Sequence, residues 1–97
     1  MTGSTRSSDG LDLRRRKLLF RSWHRGMREM DLVMGRFADM EIGRLSEAEL
    51  DEYERLIELP DGELLAWITG EQEVPADHDG ALLRRLRAFH QKSSAER

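Results

Sequence analysis

Apolar residues recur at helical spacing along nearly the whole chain. Leu19, Phe20 and Trp23 open the pattern after a capping candidate at Asp9, and they predict a first helix ending near Arg25. Met30, Val33, Met34 and Phe37 then follow the i, i+3, i+4, i+7 series, which makes residues 27–39 an amphipathic second helix. Gly26, the poorest ordinary helix former, falls at the joint. In the stretch LSEAEL, Ser46 and Glu49 have the spacing of a capping box and Leu45 and Leu50 that of a hydrophobic staple, so a third helix starts there. Leu50, Tyr53, Leu56 and Ile57 form its buried stripe before Pro60-Asp61-Gly62 interrupts the chain. Leu64, Trp67 and Ile68 mark a short fourth helix that stops at Gly70. After the loop GEQEVPADHDG, Leu82, Leu83, Leu86 and Phe89 mark a fifth, with Arg84, Arg85 and Arg87 mostly on its outer face.

No segment alternates with period two and β-branched residues are few, so the fold class is all-α. Short connections predict a compact five-helix bundle in a single domain over residues 11–92, with flexible ends at 1–10 and 93–97. Trp23, Phe37, Tyr53, Trp67 and Phe89 are its expected core anchors.

A chain of 97 residues holds one modest core and leaves no room for separate cofactor and substrate domains. The absence of cysteine removes disulfides, thiolate metal sites and cysteine nucleophiles. No apolar run approaches the roughly 20 residues that span a bilayer, so membrane insertion is not expected. The basic, Ser/Thr-rich opening MTGSTRSSDGLDLRRRK resembles a transit peptide superficially, but Asp9 and Asp12 argue against that.

The net charge of −3 conceals segregation. Residues 1–44 carry 10 Lys/Arg and 6 Asp/Glu, residues 45–80 carry 1 and 12, and residues 81–97 carry 5 and 1. Internal pairing between the basic ends and the acidic middle is the default. The run Arg14-Arg15-Arg16-Lys17 and the carboxylates of residues 47–63 both read as solvated helix faces.

Motifs for catalysis are missing: there is no phosphate-binding loop, no dinucleotide fingerprint, no HExxH and no nucleophile elbow. No catalytic residue is assigned. His24, His78 and His90 lie at unrelated spacings and read as surface or boundary residues, so no metal is expected. A small helical regulatory or nucleic-acid-binding module is the alternative class, with the arginines of helices one, two and five as a phosphate-facing patch. The acidic middle segment and the apolar second helix, with Met30, Leu32, Val33 and Met34 where base-reading groups are needed, weigh against nucleic acid.

The stretch HRGMRE, residues 24–29, sets Arg25, Gly26 and Glu29 in the pattern R-G-x-x-E. The plain reading is an i, i+4 ion pair of Arg25 with Glu29 beside a glycine turn, although arginine first is the weaker helical order. The functional reading is a surface where Gly26 lets another backbone approach and Arg25 and Glu29 flank the gap as polar contacts.

These residues carry a resemblance. FRSWHRGMREMDLVMGRFAD, LSEAELDEYERLIELPDGELLAWITG and VPAD, in that order, resemble the flavinylation and assembly factor family of succinate dehydrogenase, small proteins marked by R-G-x-x-E. The similarity runs from about Leu13 to Phe89. It implies a five-helix assembly chaperone, not an enzyme, that binds the flavoprotein subunit of succinate dehydrogenase or fumarate reductase and promotes covalent attachment of FAD to a histidine of that subunit. It further implies that FAD is delivered to or attached on the client and not held stably by this chain. Partner-binding roles fall on Arg25, Gly26 and Glu29, with Arg28 and Asp31 at the rim. The chain is expected to be a monomer, and its short lead before the motif resembles bacterial cytoplasmic members; a eukaryotic one would act in the mitochondrial matrix.

Overall fold

The computed structural model of the chain describes residues 10–95, and five α-helices with no strand are found among them. α1 spans Leu13–Trp23 and is capped by Asp12, whose carboxylate accepts the Arg15 backbone N–H at 2.8 Å. The cap expected at Asp9 lies outside the described residues. α2 spans Arg28–Glu41 and tightens into a 3₁₀ turn over Ile42–Arg44. α3, Glu47–Ile57, starts with the expected capping box: Ser46 Oγ accepts the Glu49 N–H at 3.1 Å, and Glu49 Oε1 accepts the Ser46 N–H at 2.8 Å. Leu45 and Leu50 are both buried beside it, as a staple requires. α4, Asp61–Thr69, follows Pro60 and ends at Gly70, which takes the left-handed φ of 82° of a helix C-cap. A second 3₁₀ turn over Ala76–His78 leads into α5, Ala81–Ala95.

The buried stripes converge on one core: Met30, Met34 and Phe37 from α2, Leu50, Tyr53 and Ile57 from α3, Leu64 and Trp67 from α4, and Leu82 and Leu86 from α5. Phe37 packs edge-on to Phe89 at 5.6 Å and tilts against Tyr53 at 5.9 Å, geometries that aromatic quadrupoles favour. Trp23 and Phe89 pack at the core margin and are only partly buried. Phe20 departs from its expected place and is 62% exposed. The inward face of α1 runs through Leu18, Leu19 and Ser22, one residue out of register with Phe20.

Ser22 is a polar residue in that core. Its hydroxyl donates to the Leu18 carbonyl at 2.7 Å, so the single proton is committed and the buried Tyr53 hydroxyl is the donor in the 2.5 Å contact with Ser22 Oγ. Burial pushes the Tyr53 hydroxyl above its ordinary pKa, which keeps it a neutral donor.

The basic ends do pair with the acidic middle. Arg14 of α1 reaches Glu54 at 2.7 Å and Asp51 at 2.5 Å on α3, Arg21 reaches Glu58 at 2.7 Å, and Arg85 of α5 reaches Glu49 at 2.7 Å as well as Glu41. Arg15 donates to the carbonyls of Ile42 at 3.0 Å and Leu45 at 2.6 Å, tying α1 to the turn before α3. The reading of Arg14–Lys17 as a solvated face is therefore corrected for its first two members, whose guanidiniums find acceptors on neighbouring elements; Arg16 and Lys17 are exposed.

Candidate partner-binding site

The R-G-x-x-E segment forms the connection between α1 and α2, and Gly26 makes its bend. Gly26 has φ of 93°, a conformation that strains any residue with a Cβ, although open space lies where that atom would sit. The glycine is required by the backbone, and its bare surface is a consequence.

Arg25 turns inward. Its side chain is only 9% exposed and bonds to three neighbours at the junction of α3 and α4. Nε donates to Asp61 Oδ1 at 2.8 Å, Nη2 lies 2.6 Å from the same oxygen and donates to the Leu59 carbonyl at 3.0 Å, and Nη1 donates to the Ile57 carbonyl. The carbonyls at the end of α3 lack helical partners and carry the negative end of its dipole, so a cation is stabilised there. The backbone N–H of Arg25 donates to Asp31 Oδ1 at 2.6 Å, which fastens the loop to α2 as well. The plain sequence reading of an Arg25–Glu29 ion pair is corrected by this geometry: the guanidinium is taken by Asp61.

Of the five residues assigned to partner binding, Gly26, Arg28 and Glu29 are exposed, while Arg25 and Asp31 are partly buried and bonded to the fold. The side chains of Arg28 and Glu29 make no hydrogen bond or ion pair among the described residues. His24 sits beside them, stacked on Phe20 with ring centroids 4.0 Å apart, and its Nδ1–H donates to the Phe20 carbonyl at 2.7 Å. Along the chain, the exposed bend at Gly26 is thus preceded by a stacked aromatic pair and followed by two opposite charges without partners among the described residues.

A family model described as flavinator of succinate dehydrogenase matches residues 16–90. The chain belongs to that family. Among similar proteins, the FAD assembly factor SdhE of Acetobacter pasteurianus is 36% identical over 80 residues, covering 82% of this chain and 73% of that protein. Succinate dehydrogenase assembly factor 2, mitochondrial, is 40% identical over 70 residues in Dictyostelium discoideum, covering 72% of this chain and 50% of that protein. Its counterpart in Danio rerio is 32% identical over 93 residues, covering 94% of this chain and 59% of that protein. This chain therefore spans 50–73% of the length of these relatives.

In this flavinator-family member the matched region encloses the R-G-x-x-E loop together with three supporting residues that sequence reasoning missed. Gly35 on α2 lies against the Trp23 ring, where a Cβ would come within 2.3 Å of ring carbons, and Trp23 Nε1 donates to Asp39 at 3.1 Å. That contact fixes the end of α1 and hence the start of the loop. Asp61 holds Arg25. Glu52 on α3 accepts the backbone N–H groups of Leu82 at 3.1 Å and Leu83 at 3.1 Å, capping α5 from another helix. The acidic stretch 47–63, read as a solvated face, is thus largely a set of cross-links. A glycine inside a helical pattern was the available signal for Gly35; nothing in local spacing singled out Glu52.

An open cleft of about 510 Å³ between α1 and α3 is lined by three carboxylates, Asp51, Glu54 and Glu58, and two guanidiniums, Arg21 and Arg55. Among the described residues no group of three or more His, Asp or Glu side chains could hold a metal ion, and no helix is long and apolar enough to cross a membrane.

Proposed function

We propose that this chain binds the flavoprotein subunit of succinate dehydrogenase or fumarate reductase through the outer side of the R-G-x-x-E loop and so promotes covalent attachment of FAD within that subunit. The observation that carries the reading is the division of the motif: Arg25 is committed to the fold, while Gly26, Arg28 and Glu29 face outward without internal partners. Unpaired exposed charges beside a close-approach backbone are what a polar protein contact needs. Membership of the flavinator family and the names of the similar proteins support the same client.

The contribution to chemistry is positional. Binding would hold the client's domains and its FAD in a reactive arrangement, which lowers the entropic barrier without any catalytic group on the chaperone. FAD stays with the client, and the chain acts as a monomer in the compartment where the flavoprotein matures, the bacterial cytoplasm or the mitochondrial matrix. The alternative of a phosphate-binding patch loses five of its arginines, because Arg14, Arg15, Arg21, Arg84 and Arg85 are bonded to carboxylates or carbonyls of the fold.

Co-elution of the purified chain with the FAD-free flavoprotein subunit tests the proposal. Wild type should form a one-to-one complex, and Glu29→Ala should weaken it more than tenfold, a loss of about 2 kcal/mol or more that is ordinary for an interfacial charge deprived of its partner. Absence of any complex with the wild-type chain would overturn the reading.

A further inference from the structure

Asp61 occupies the first position of α4, where a carboxylate is favoured by the positive end of its own helix. Here α4 has no side-chain cap, and the Asp61 carboxylate is given instead to Arg25, 36 positions earlier in the chain. The pair is the most buried ion pair of the described residues, with side chains 9% and 20% exposed. It lies directly beneath the loop that carries Gly26 and Glu29. The same guanidinium also takes the Leu59 and Ile57 carbonyls, so the turn between α3 and α4 and the loop between α1 and α2 share one hub. No other bond from a described side chain outside the α1–α2 hairpin reaches residues 24–27.

We infer that Asp61 is a positioning residue for client binding: by latching Arg25 it fixes the R-G-x-x-E loop in the shape the client recognises, without touching the client itself. The inference rests on the client-binding reading given above. A loop whose bonds to α3 and α4 all pass through one partly buried, charge-assisted hub is held to those helices while the hub is intact and opens more readily when one partner is removed. Arg25 therefore serves the interface from inside, and Asp61 sets the geometry at which Gly26, Arg28 and Glu29 are presented.

Amide and guanidinium NMR of the full chain, free and with the FAD-free flavoprotein subunit, separates this role from general support of the fold. In the free wild type the Arg25 Nε–H should exchange slowly and stay protected when the client is added. Asp61→Asn should raise amide exchange at Arg25, Gly26 and Met27 by about tenfold or more while leaving the core amides of Met34 and Leu50 unchanged, the pattern of local opening. Its client affinity should fall by about tenfold, and Asp61→Glu, which keeps the carboxylate, should recover part of both. A folded Asp61→Asn chain with unaltered loop exchange and unaltered affinity would overturn the inference. So would exchange that rises uniformly through the core, or loss of Arg25 Nε–H protection on client binding, since the guanidinium would then leave Asp61 to make the contact. Should Asp61→Asn not fold, Asp61→Glu and the wild-type Arg25 signal decide. If the wild-type chain binds no client, the proposed function fails, and the exchange data in the free chain still show whether the latch exists.

Discussion

Two glycines, Gly26 at the α1–α2 junction and Gly35 two turns into α2, do different work, and substitutions at each should separate them. Gly26 needs its positive φ but has open space around it, so Gly26→Ala should cost only the backbone strain, about 1 kcal/mol. Gly35 has ordinary helical backbone but meets the Trp23 ring, which its hydrogen bond to Asp39 holds in place. Gly35→Ala must displace that ring and should cost roughly 1–3 kcal/mol, with a shift in tryptophan fluorescence. Thermal unfolding of the two variants checks the order; equal losses would show that Trp23 moves freely. The buried Ser22–Tyr53 pair gives a third case at this scale. Ser22→Ala leaves the Tyr53 hydroxyl buried without its acceptor and should destabilise the chain by about 1–3 kcal/mol by the same measurement.

At the scale of elements, the helices are joined by ion pairs that depend on ionised carboxylates. The Arg14 guanidinium holds the Glu54 carboxyl below the usual carboxylate range, the Ser46 N–H and then Arg85 do the same for Glu49, the Arg15 N–H for Asp12, and Arg84 for Asp79. A carboxyl with a depressed pKa in the folded chain contributes stability above its unfolded value and loses it as pH falls through the folded value. Thermal stability should therefore be flat near neutrality and decline as the solution is acidified from about pH 5 downward. Glu54→Gln should start lower and decline less, because it has already lost the α1–α3 link that protonation removes. Parallel acid profiles for wild type and variant would show that this link carries none of the dependence.

The helices themselves were legible in the sequence because their signals are local. The Ser46–Glu49 box, the Gly70 stop and the i, i+3, i+4 stripes each lie within one or two turns of chain. Phe20 was misplaced for a related reason: on so polar a helix as α1, the neighbouring buried positions Leu18, Leu19 and Ser22 set the inward face, and Ser22 does not look apolar. The motif Arg25, Gly26, Glu29 was also visible, but not its division of labour. Whether an arginine turns inward depends on acceptors supplied by Ile57, Leu59 and Asp61, more than thirty positions away, and no local pattern records such pairings.

As a whole molecule, the chain uses its segregated charge to close upon itself. Basic α1 and α5 flank acidic α3, while at the start of α2 two opposite charges, Arg28 and Glu29, stand exposed without partners among the described residues. On the proposed function, that exposed polar surface is where the client binds. Covalent flavin in the succinate dehydrogenase flavoprotein, read by in-gel fluorescence in cells lacking their native factor, tests that conclusion most directly. Cells would be supplied with this chain or its Glu29→Ala variant at equal abundance. Glu29 has no partner among the described residues, so the variant should keep its stability within about 0.5 kcal/mol. The wild-type chain should restore the fluorescent band and Glu29→Ala should leave it weak; full fluorescence with the variant, or none with the wild type, would contradict the role assigned to this loop.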